Sequence, residues 1–144
     1  MISLRKLGLG ALAILALASC NASESAGGVK DYLTSHGFAE SGITQMSGED
    51  YKKTQSADFK AEGLKEYLAA TKAPASEQEL PEQFYCWFFD NMDQADAFVK
   101  DYVGDMYYAL DGRVKDPSMG SRNNCAWAGT NGIAVGLGWT TTAA

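Results

Sequence analysis

One histidine, His36, stands in the 144 residues, and no second cysteine lies two residues from any of the three present. A catalytic thiol therefore has no resolving partner in the sequence, and the one imidazole has no identifiable orienting group. No nucleophile motif appears either, which weakens a hydrolase built on His36 and a carboxylate. Basic residues are also few, 12 Lys and Arg against 18 Asp and Glu. That balance argues against nucleic acid, whose phosphates require basic patches, and against electrostatic docking on anionic headgroups. There is no repeat of 20 to 50 residues, no sustained heptad and no long low-complexity block. Gly136-Leu137-Gly138 closes the chain instead of joining a strand to a helix, so it is no nucleotide fingerprint.

What the sequence does have is concentrated at its start. Arg5 and Lys6 precede an uncharged Leu- and Ala-rich run from Leu7 to Ala18, followed by small residues. This order is that of a secretory signal peptide. At roughly a dozen residues the run is too short to remain as a span, which needs about 20. Leu17-Ala18-Ser19-Cys20 then supplies an aliphatic residue, two small residues and a cysteine. In these residues the chain resembles a bacterial lipoprotein precursor and its lipobox. The resemblance covers only the first twenty or so residues. It implies cleavage between Ser19 and Cys20 and a diacylglyceryl thioether on Cys20, with no other cofactor. The protein would then sit at the cell membrane or outer membrane, lipid-anchored and extracytoplasmic. Asn21 occupies the position where an Asp often signals inner-membrane retention.

Residues 1–19 are thus read as signal peptide, 20–28 as lipidated cysteine and flexible tether, and 29–144 as one globular domain. Asn21 to Gly28 is small and polar, without apolar periodicity. Without Arg5 and Lys6 the domain carries 10 basic residues against 18 acidic ones, a formal charge of −8. Such acidity mostly confers solubility. About 115 residues suffice for one domain with a substantial core.

Along the mature chain, Val29, Tyr32 and Leu33 predict a short helix that Gly37 stops, with His36 in its last turn. Ile43 to Met46 reads as a short strand, and Ser47 to Asp50 as a turn or helix start. A helical turn is expected near Asp58 to Glu62. Leu64 to Thr71 is compatible with helix or strand, and Gly63 weakens a continuous helix. Pro74 to Pro81 is a surface loop. Gln83 to Phe89 predicts a central strand, because both of its faces are apolar. Asn91, with Gln94 three residues on, starts a helix near 92–110 whose stripe runs from Ala95 to Leu110 and ends at Gly112. Asp111 to Arg122 reads as a connection. A terminal hairpin is expected from Asn123 to Ala128 and Ile133 to Trp139, turning at Thr130-Asn131-Gly132. Its small residues, Ala126, Ala128, Ala134, Gly136 and Gly138, would let a helix or another chain approach closely.

The expected fold is α+β: a small, mainly antiparallel sheet with a C-terminal hairpin, packed against helices. With Cys20 acylated, Cys86 and Cys125 form an even pair in an oxidising compartment, and a disulfide between them is expected, with two buried thiols as the alternative. Asp90, Asp93 and Asp96 loosely suggest a calcium loop. They lack its alternation, central glycine and closing glutamate, so no metal site and no catalytic residue is assigned. The mature domain carries no family signature. Three functions remain open: an accessory envelope protein that binds another protein, a small-ligand binding module using aromatics such as Tyr107, Tyr108 or Trp139, and, less supported, a hydrolase.

Overall fold

The computed structural model describes residues 23–139. In chain order it contains α1 (Ala26–Ser35), a 3-10 turn (Glu40–Gly42), β1 (Ile43–Ser47), α2 (Gly48–Lys53), β2 (Leu64–Lys72), β3 (Glu82–Phe89), a long helix α3 over residues 92–110, β4 (Pro117–Arg122), β5 (Cys125–Thr130) and α4 (Asn131–Gly136). The strands lie in the order β1-β2-β3-β5-β4, and every neighbouring pair is antiparallel. This is the expected α+β architecture. Helices cover both faces of the sheet.

Strand β3 is central, as its two apolar faces require. Phe84, Cys86 and Phe88 join Leu68, Cys125 and Trp127 beneath α1, α4 and Trp139. Trp87 and Phe89 join Tyr51, Ala126 and Ala128 beneath α3 and α2. Helix α3 starts as its cap predicts. The Asn91 side chain accepts from Gln94 N at 2.9 Å, and Gln94 Oε1 accepts from Asp90 N at 3.2 Å. Its apolar stripe buries Ala95, Phe98, Val103 and Leu110. A π turn at Val99–Val103 interrupts the α geometry without ending the helix. Gly112, at φ 81°, follows the end. Ala126 and Ala128 of β5 pack beneath α3, whereas Ala134, expected on the same surface, lies in α4 on the opposite face of the sheet.

Three expectations are corrected and one open alternative is resolved. No helical turn forms near Asp58 to Glu62; the segment makes tight turns instead. Leu64 to Lys72 is a strand, and a register shift between Leu64 and Glu66 explains its ambiguous pattern. That bulge turns Leu64 toward α3 but Leu68 and Ala70 toward α1, so apolar residues four apart serve opposite faces. The hairpin exists but lies one strand earlier. Pro117–Arg122, read as a connection, pairs with Cys125–Thr130, while Asn131–Gly136 is helical. Asn-Gly therefore opens a helix whose Ile133 and Ala134 are buried and whose Val135 is 60% exposed. Finally, residues 24–28, expected within the tether, belong to the domain. Ser25 Oγ caps α1 by accepting from Gly28 N at 3.1 Å, and Ala26 is fully buried.

Candidate functional site

The C-terminal end of β3 meets the turn between β4 and β5, and there the segment leading into α1 is fixed. Asn124, buried, accepts from Glu24 N through Oδ1 at 2.7 Å and donates through Nδ2 to Glu24 O at 3.2 Å and Phe89 O at 3.0 Å. The Glu24 carboxylate accepts from Asn123 Nδ2 at 3.2 Å and pairs with Arg122 Nε at 3.4 Å. Arg122 Nη1 in turn donates to Gly138 O at 3.0 Å. No sequence pattern foretold this clasp, because Glu24 and Asn124 are 100 residues apart.

Beside it, a cleft of about 300 Å³ opens between residues 60–62 and the first turns of α3. Its floor includes Ala61, Phe89 and Phe98, and Lys60, Glu62, Asp93 and Asp101 contribute charge around it. Lys60 is placed by its backbone N–H, which donates to Tyr102 Oη at 3.0 Å. Gly63, at φ 79°, lies so close to the Gln94 amide that a Cβ there would overlap it. Three carboxylates against one ammonium favour a cationic guest over an anionic one. The volume is at the small end for ligand pockets. Sequence reasoning missed this cleft. Phe98 was legible as part of the helix stripe, but Lys60 and Glu62 stand in a segment with no periodic signal.

The expected disulfide is not formed. Register sets Cys86 opposite Trp127 and Phe88 opposite Cys125, so the two cysteines are diagonal neighbours on one face. They lie 4.2 Å apart as free, buried thiols. A bonded pair of sulfurs lies about 2.05 Å apart, so the two thiols are within contact of each other but not bonded. Burial pushes the Cys125 thiol well up, and the adjacent Cys86 and the Glu24 charge push the same way. A thiol so held is a poor nucleophile.

His36 is exposed at the C-terminus of α1, stacked on Tyr32 at 4.0 Å. Its Nδ1 lies 2.8 Å from Tyr32 O and 3.0 Å from Ser35 Oγ. A carbonyl only accepts, so the Tyr32 contact is a hydrogen bond in the tautomer that protonates Nδ1. Ser35 itself donates to Tyr32 O at 2.9 Å. The neighbours are those of a polar helix end. Asp90, Asp93 and Asp96 do not converge; Asp96 accepts from Ser121 Oγ at 2.8 Å. Among the described residues no three His, Cys, Asp or Glu side chains form a metal-ligand group. Of the aromatics considered for binding, Tyr108 is 77% exposed, whereas Trp139 is buried against Phe84 and Trp127. Ser19 and Cys20, the cleavage and lipidation positions, lie outside the described residues.

No protein-family model matches this chain, and neither the curated proteins nor the solved structures contain a match.

Proposed function

We propose that this chain is a lipid-anchored, extracytoplasmic envelope protein whose domain serves a protein-interaction or accessory role without catalysis. Leu17-Ala18-Ser19-Cys20, at the end of a short apolar run with a positive start, carries the reading. The anchor would be a covalent acyl lipid on Cys20. One acyl chain holds a protein only marginally, whereas two or three suffice. His36 exposed on a helix end and Cys125 held protonated are consistent with a non-catalytic role. In cells fed labelled fatty acid, wild type should carry label and sediment with membranes, and Cys20→Ser should lose both. A Cys20→Ser protein that stays labelled and membrane-bound would reject the reading.

The cleft over Phe89 and Phe98 supports a second reading, a small-ligand binding lipoprotein, and its carboxylates favour a cation with an apolar body. Thermal unfolding of residues 21–144 against amines, basic peptides, sugars, metal ions and envelope fragments tests it. A ligand at 100 times its dissociation constant adds about 2.7 kcal/mol to the bound state. A saturable upward shift that Asp93→Asn diminishes would favour ligand binding in the cleft. A flat panel would leave the protein-partner reading ahead.

A further inference from the structure

The geometry points to one end of the sheet, the end carrying Glu24, Asn124 and the start of α3, as the surface that faces the phospholipid headgroups. This inference rests on lipidation at Cys20. Only Asn21, Ala22 and Ser23 lie between Cys20 and Glu24. Even fully extended, that stretch spans at most about 14 Å. Glu24 is no loose end, since its N–H, carbonyl and carboxylate are all held by residues 122–124. The reach from lipid to folded domain is therefore short and arrives at a fixed point.

The elements around that point are joined to it. Phe89 N donates to Asn124 O at 2.7 Å, and Asp90 N donates to Gly63 O at 3.0 Å. The bilayer-facing end thus includes Gly63, Asp90 and the first turn of α3, where Met92 is 55% exposed. The cleft lined by Glu62, Phe89 and Asp93 opens beside the same end. At the other end of β2 and β3, Lys72 pairs with Glu82, and residues 73–81 link the two strands. Strand β2 has nine residues, which at about 3.3 Å each put that loop roughly 30 Å farther from the lipid. Glu62, Asp90 and Asp93 give the near end negative charge. It is therefore held at the headgroups by the tether and not by attraction to anionic lipid.

Full-length lipidated protein in phosphatidylcholine vesicles with a headgroup-attached quencher tests the orientation. A fluorophore is placed on Met92→Cys or on Ala75→Cys; Cys86 and Cys125 are buried and should escape labelling. The Met92 position should be quenched several-fold more strongly than the Ala75 position. A long Gly-Ser insertion between Asn21 and Ala22, outside every described contact, should abolish that difference while the protein still floats with the vesicles. Equal or reversed quenching in floating protein would overturn the orientation alone. A difference that survives the insertion would overturn the short tether as the cause of the orientation. Protein that fails to float would reject lipidation itself, and the orientation with it.

Discussion

The two faces of the sheet are built differently. Under α1 and α4, Leu33, Leu68, Phe84, Cys86, Phe88, Cys125 and Trp127 are each no more than 2% exposed. Under α2 and α3 the layer is tyrosine-rich, with Tyr51 stacked on Tyr67 at 4.1 Å and Tyr67 and Tyr85 beside Trp87. Strand β5 shows the contrast in miniature. It sends Cys125 and Trp127 to one side and only Ala126 and Ala128 to the other. The first face is closed by the short helices α1 and α4. The second lets a long helix approach across small residues and leaves phenol groups at its margin, where a polar tip can stay near water.

Truncation should separate the faces most clearly. Trp127→Ala is expected to cost about 3–5 kcal/mol, as for other fully buried large aromatics. Tyr85→Ala, at a half-buried site, should cost roughly 1–2 kcal/mol by the area lost. Denaturant unfolding measures both, and equal losses would erase the distinction. Gly136→Ala probes how α4 closes the first face, because a Cβ there would overlap the Tyr32 hydroxyl and ring. It should cost about 1 kcal/mol or more, as overpacking does, and the expected readout includes loss of the Tyr32–His36 stack.

Alkali should act on the second face. Burial raises the Tyr51, Tyr67 and Tyr85 hydroxyls, with the neighbouring phenols adding at Tyr67. Above about pH 10 the unfolded chain ionises these groups while the folded one keeps its protons. The fold then binds more protons than the unfolded chain, so their contribution is complete below about pH 10 and is lost as pH rises further. Tyrosinate absorbance should lag for these residues until unfolding, and Tyr51→Phe combined with Tyr85→Phe should reduce the lag. The smallest effect belongs to reductant, which should leave the melting temperature unchanged. Unreduced, denatured protein lacking Cys20 should titrate two thiols, and a count of zero would restore the disulfide.

What could be read in advance was whatever depends on one element's own residues. The doubly apolar run Gln83 to Phe89 permits little but a central strand, and the Asn91–Gln94 cap with its stripe set α3 almost to the residue. Whatever depends on a partner could not be read. Pro117–Arg122 alternates no apolar residues; it is a strand because β5 pairs with it. Ile133, Val135, Leu137 and Trp139 alternate like a strand, yet over so short a stretch a helix and the turn after it bury Ile133, Ala134 and Trp139 as well. The spacing of the two cysteines gives no hint of the diagonal register. The cleft and the Glu24 clasp join segments distant in sequence and were invisible for the same reason.

Among the described residues strand β1 is one border of the sheet, paired only with β2, and its five residues Ile43-Thr44-Gln45-Met46-Ser47 include no charge and no proline. The opposite border, β4, begins with Pro117 and ends with Arg122. Proline and charge are what discourage a second sheet from adding on. Self-association in concentrated solution should therefore begin at β1, and a lysine in place of Gln45 should delay it while leaving the fold intact.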